Sequence, residues 1–91
     1  MSTIQINHKP SQVELDANGV CQWAIWSKEP STFPWHYECE ETCYFTKGRV
    51  TVTPEGGEPI GMREGDLVTF PEGMTCSWEI HEAVEKHYRF C

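Results

Sequence analysis

Glu41 is the residue of this chain best placed to do chemistry. It stands in FPWHYECEETCYFTKGRV, residues 33–50, with Trp35, His36, Tyr37, Cys39 and Cys43 within a few positions of it. Burial in a dry pocket raises the pKa of a carboxylate and suits it to general acid or base work. The plainer role is to satisfy neighbouring hydroxyls or backbone amides. A buried carboxylate is costly without a partner, so the chemical role is favoured. Cys76 and Trp78 lie further on, in TCSWEIH. Cys76 is either a lining hydrophobe or a thiol that acts as ligand or nucleophile. The second role needs a nearby base or positive charge to form thiolate, and the sequence identifies none. Cys43 shares a strand face with Glu41 and Phe45 and reads as core.

Trp35, Tyr37 and Trp78 either fill a small interior or form a cage for an apolar, planar or cationic ligand. In the closing stretch Val84, Lys86, Tyr88 and Phe90 share one face, and Glu85, His87, Arg89 and Cys91 the other. The apolar set marks the first face as inward. Lys86 is then brought towards Glu41, although a long stem that carries the ammonium to the rim is the favoured reading. No metal is expected. If one binds, Glu41, Cys76 and either His36 or His87 would supply three ligands and leave a position open, as a borderline metal such as zinc accepts. His8 and His81 read as surface residues, and the other acidic residues as solvated surface.

Strands and turns must hold these residues in place. IQINH, residues 4–8, reads as a short opening strand. Ser11, with Glu14 three residues on and Asn18-Gly19 as a stop, predicts a helix over about 11–18. From about residue 20 to 91 the chain alternates strand and turn. QWAIWS is β-rich, and Pro30 and Pro34 bracket a loop. ETCYFT and RVTVTP flank Lys47-Gly48, read as a two-residue hairpin loop. PEGGEP, REGD and Pro71-Glu72-Gly73 are further turns. Turns about ten residues apart are the mark of an all-β sandwich or barrel. The chain is read as one domain, 1–91.

Composition removes several partners. Seven basic against fourteen acidic residues give a net charge of −7. Nucleic acid and anionic membrane both favour a basic face, so neither is expected as a partner. No stretch is long and apolar enough to span a bilayer. The first residues, MSTIQINHKP, lack the apolar run of a secretory signal. The five cysteines are odd in number and form no CxxC. Reduced thiols in a cytoplasmic or similar reducing compartment are therefore expected.

Two segments resemble the motifs of small cupins, which are jelly-roll barrels of two sheets. Glu41 and Gly48 match the Glu and closing Gly of the first motif. Gly65, Pro71 and Gly73, in GDLVTFPEGMTC, match the second. The likeness extends nearly end to end to the short single-domain cupins of the ureidoglycine aminohydrolase type, the DUF861 group. It rests on FPW, ETCY, GRV, GDLVTFPEGM and the terminal KHYRF. It implies a single-domain, all-β jelly roll with one short N-terminal helix.

Cupins of this kind hold metal through two His and a Glu of the first motif and a His of the second. Here the two His positions fall on Trp35 and Tyr37, and the last His position on Cys76. Trp35 and Tyr37, two apart, share a face and point inward, which turns His36 outward. The resemblance thus implies a pocket with most metal ligands replaced, lined by Trp35, Tyr37, Cys43, Trp78 and Lys86 around Glu41 and Cys76.

The expected function is small-molecule binding with no cofactor. The alternatives are a metal-dependent hydrolase like ureidoglycine aminohydrolase, using Zn, Mn, Ni or Fe, and a metal-free isomerase or lyase with Glu41 as base. Whether the protein is an enzyme stays open at this level. Free sheet edges make a homodimer the expected assembly.

Overall fold

The structure is a computed structural model that describes residues 3–90. Cys91, placed on an outward face above, lies outside the described residues.

Two long antiparallel strands organise the molecule: β4 (Glu41–Pro54) and β7 (Thr75–Phe90) pair along nearly their whole length. The first half of β4 also pairs with β6 (Leu67–Phe70), and β6 pairs with β1 (Gln5–Asn7). The second half of β7 pairs with β2 (Ala24–Lys28). At the other end β5 (Ile60–Arg63) joins β4, and β3 (Ser31–His36) joins β7. Two sheets therefore share the β4–β7 ribbon, β1-β6-β4-β7-β2 on one side and β5-β4-β7-β3 on the other. Phe70 from the first sheet packs 5.8 Å, centroid to centroid, from Trp78 of the second, so the two inner faces meet. This is the expected all-β jelly roll.

The ribbon bends where β4 is irregular, between Phe45 and Val50. Inward residues are Glu41, Cys43 and Phe45 before the bend, then Val50 and Val52 after it. The switch from odd to even positions records the extra residues of a β-bulge. Gly48, expected in a hairpin loop, sits in this bulge with φ +92°. A Cβ there would lie 2.4 Å from the Ala83 carbonyl oxygen. The positive φ that the sequence signals is spent on bending a continuous strand.

The segment bracketed by Pro30 and Pro34 is also strand, not loop. Pro34 is tolerated in β3 because, among the described residues, that strand pairs on one side only, with β7, and an edge position needs no ladder donor there. The helix α1 (Gln12–Asn18) forms as expected, with Ser11 Oγ accepting from the Glu14 amide and Gly19 closing it at φ +68°. The reciprocal half of the capping box is absent, because the Glu14 carboxylate accepts from Asn7 instead. Asp66 is not solvated surface: it is buried, accepts from the Arg63 amide and meets His8 Nδ1 at 2.9 Å. It ties the turn after β5 to the segment that follows β1.

Candidate functional site

Phe33, Trp35 and Tyr37 recur every second residue on and just beyond β3, so they share the face turned to the interior. Trp78 lies opposite Phe33 in register and stacks on it, with ring centroids 6.1 Å apart. Trp26 meets both rings edge-on from β2. Tyr88 and Phe90, at the end of β7, close the other side. Together with Glu41 and Lys86 these residues line a half-open cavity of about 150 Å³.

Glu41 and Lys86 come from neighbouring strands, β4 and β7. Lys86 is in register with Phe45, and Glu41 with Phe90. Their side chains lean towards each other along the sheet, past Cys43. Lys86 Nζ donates to Glu41 Oε2 at 2.8 Å. Glu41 is 3 % and Lys86 5 % exposed. The ammonium also lies 4.6 Å from the Trp78 ring centroid, 5.0 Å from Trp26 and 5.8 Å from Phe70. Aromatic faces carry negative quadrupole density and stabilise a cation. Lys86 does not reach the rim, as favoured from sequence; three rings and one carboxylate retain it at the cavity floor.

Tyr37 is sealed and stacked on Phe70, ring centroids 4.7 Å apart. Its hydroxyl accepts from Trp78 Nε1 at 3.2 Å. Burial, reinforced by the charge of Glu41, pushes the phenol pKa up, so Tyr37 keeps its proton. Trp35 departs from expectation: it shares the face but stands at the mouth, 46 % exposed. Phe90 is similarly exposed.

The two thiols lie behind the cavity wall. Cys43 is fully buried, and burial pushes its pKa up to about 12, with the Lys86 ammonium opposing. Burial pushes Cys76 up to about 11, with Trp78 and Lys86 opposing. Neither is among the residues that line the cavity. Both favour the neutral thiol near neutral pH.

His36 and His87 are engaged elsewhere. His36 Nδ1 bonds the Thr75 hydroxyl at 2.8 Å on the exposed face, and His87 Nδ1 meets the Trp23 carbonyl oxygen at 3.2 Å. Residues that sequence reasoning omitted from the site are Trp26, Phe33, Tyr88 and Phe90. Phe33 was legible by extending the Trp35–Tyr37 alternation two residues back. Trp26 enters through pairing of β2 with β7, a long-range register that no local pattern carries.

Residues 15–88 match the model of the EutQ-like cupin domain. The chain belongs to the EutQ-like cupin family. It is similar to a DUF861 family protein from Thermotoga maritima, at 44 % identity over 98 % of this chain and 100 % of that one, with a TM-score of 0.95. It also resembles a DUF861 protein from Pseudomonas syringae, at 26 % identity over 70 % of this chain and 28 % of that one, with a TM-score of 0.64. The EutQ protein of Clostridium difficile shares the fold at 19 % identity and a TM-score of 0.64; 70 % of this cupin aligns with half of that chain. No curated protein matches this cupin.

The cupin fold implies a metal, and the residues do not fit one. Trp35 and Tyr37 offer no imidazole, Cys76 is not among the residues that line the cavity, and Glu41 Oε2 is bound to an ammonium. Among the described residues no three His, Cys, Asp or Glu side chains gather as a metal-holding group. The conditional set of Glu41, Cys76 and His36 or His87 is not assembled.

Proposed function

We propose that this cupin is a small-molecule-binding protein whose ligand is planar and enters between Trp35, Phe33 and Tyr88 to reach Glu41 and Lys86. One observation carries this reading: a buried, oppositely charged pair forms the floor of an aromatic-walled cavity. The volume is of the order that accommodates a benzene-sized molecule, so the site takes a small ring or one planar end of a larger compound. Aromatic walls stabilise a flat ligand by stacking, and the pair at the floor selects for polar atoms at its leading edge. A filled interior with no cavity, as a purely structural jelly roll would have, is a poorer account of the wall. Metal-assisted hydrolysis needs a water held by fixed ligands, and no residue set among the described residues supports it.

The test is binding of indole, benzamide and benzoate, followed by tryptophan fluorescence and by amide chemical shifts. Saturable shifts confined to β2, β3, the start of β4 and the cavity-facing positions of β7 support the reading. Shifts scattered over the surface, or none at millimolar probe, overturn it.

Self-association through an edge strand is a second proposal. Exposed Ile25 lies on β2, which pairs with β7 alone among the described residues. Light scattering of wild type and Ile25→Lys tests it: a dimer that the variant dissociates supports it, and a wild-type monomer overturns it.

A further inference from the structure

The Glu41–Lys86 pair is an unusual thing to bury. Two isolated charges in a dry interior lose solvation that their mutual attraction only partly returns. An apolar pair of similar volume would complete an aromatic core at lower cost. Here the ammonium is additionally held by the faces of Trp26, Trp78 and Phe70. Those ring faces and the Glu41 carboxylate surround the ammonium, so Lys86 is placed to present a positive charge at the cavity floor.

The carboxylate is only half used. Lys86 binds Oε2, and no donor among the described residues reaches Oε1. Since no sealed polar side-chain atom of the described residues lacks a partner, Oε1 is the edge of the carboxylate open to the cavity. The floor thus combines a carboxylate oxygen able to take a proton with an ammonium able to face a developing negative charge. Tyr37 adds a phenol close by that stays protonated.

We infer that Lys86 supplies the fixed positive charge that a metal gives other cupins, and that Glu41 and Lys86 together enolise a small, planar carbonyl compound. The inference rests on the binding site proposed above. In the step, Glu41 Oε1 takes the proton from the carbon next to the carbonyl. The C–H electron pair becomes the C=C bond, and the carbonyl π pair moves to oxygen. The Lys86 N–H groups stabilise that oxyanion. Return of the proton from Glu41 to carbon gives back the keto form with its α-hydrogen exchanged, and its delivery to the enolate oxygen instead completes a keto–enol tautomerisation. No oxidant, reductant or second substrate is consumed.

Lys86 touches the oxyanion in this step and Glu41 the reacting proton, so both are catalytic residues. Trp78 and Trp26 are positioning residues that act through the ammonium.

The experiment follows solvent deuterium exchange at the α-carbon of acetylacetone and phenylpyruvate by proton NMR, with wild type, Glu41→Gln, Lys86→Met and Lys86→Arg. Binding of each probe is measured in parallel by tryptophan fluorescence, and folding by near-UV circular dichroism. Positioned acid–base groups contribute on the order of 100-fold or more. Exchange at least about 100-fold above buffer in wild type is expected, falling to near the buffer rate in Glu41→Gln and Lys86→Met. Lys86→Arg keeps the charge and should retain part of the rate. Probes that bind without accelerated exchange overturn the inference and leave the binding reading standing. Probes that neither bind nor exchange overturn both. Should Lys86→Met fail to fold, Glu41→Gln and Lys86→Arg decide alone: an undiminished rate in Glu41→Gln overturns the role of the pair.

Discussion

Lys86 Nζ lies 2.8 Å from Glu41 Oε2, and both side chains are all but sealed from solvent. Removing one partner of such a pair leaves the other buried and uncompensated, which costs roughly 3–5 kcal/mol. Lys86→Met should therefore destabilise strongly. Glu41→Gln in the Lys86→Met background should recover part of the loss, because neither remaining side chain is charged. Urea unfolding of the two single variants and the double variant measures this. Additive losses would show that the pair is not coupled in the folded protein.

The bend of β4 supplies a second test. Gly48 adopts φ +92°, and a Cβ would press on the Ala83 backbone at 2.4 Å. Backbone cannot swing aside as a side-chain end does. Gly48→Ala should cost at least about 1–3 kcal/mol from the dihedral alone, with further loss from displacing β7. Gly61→Ala, in β5, has open space and ordinary φ, and should change stability by no more than about 0.5 kcal/mol. Equal losses in the two variants would contradict the bulge.

Much of this was legible in the sequence, for physical reasons that differ by element. Alternation along β3 and β7 is local, so the inward face of Tyr37, Trp78 and Lys86 could be read directly. Capping chemistry is equally local, and Ser11 and Gly19 cap α1 at its two ends. The fate of Lys86 was not legible, because its position depends on Trp26 and Phe70, which reach it only through sheet pairing. The Lys47-Gly48 signal was read as a turn because a positive φ serves a hairpin and a bulge alike. Trp35 sits on the predicted face, yet the cavity mouth leaves it half open. Asp66 escaped notice because an acidic residue in a turn is usually solvated, and only the fold brings His8 and the Arg63 amide to it.

Position in the wall separates two tryptophans. Trp35 borders the cavity mouth and Trp78 is part of the sealed core. Trp78→Ala should lose about 3–5 kcal/mol of stability. Trp35→Ala should lose less than about 1 kcal/mol while weakening the binding of planar probes about tenfold or more. Paired melting and fluorescence titrations check this. A Trp35→Ala protein that binds indole as wild type does would remove the mouth from the site.

Alkaline pH should act through the buried thiols. Burial raises Cys43 from an ordinary 9.0 to about 12 and Cys76 from 9.0 to about 11. The unfolded chain releases these protons first, so the stability they contribute is complete below pH 9. It falls as pH rises towards 11 and then 12, by up to about 1.4 kcal/mol per pH unit for each thiol. Tyr37, raised in the same direction, adds to the loss above its ordinary 10.0. Urea midpoints should thus hold steady up to pH 9 and decline beyond it. Iodoacetamide at pH 8 checks the same shifts in the native state. Exposed Cys21 should alkylate quickly, whereas Cys43 and Cys76 should react only after urea is added, as peptide mass mapping would show. Rapid native labelling of Cys76 would mean that its thiolate is accessible, and would return Cys76 to the reactive groups of the site.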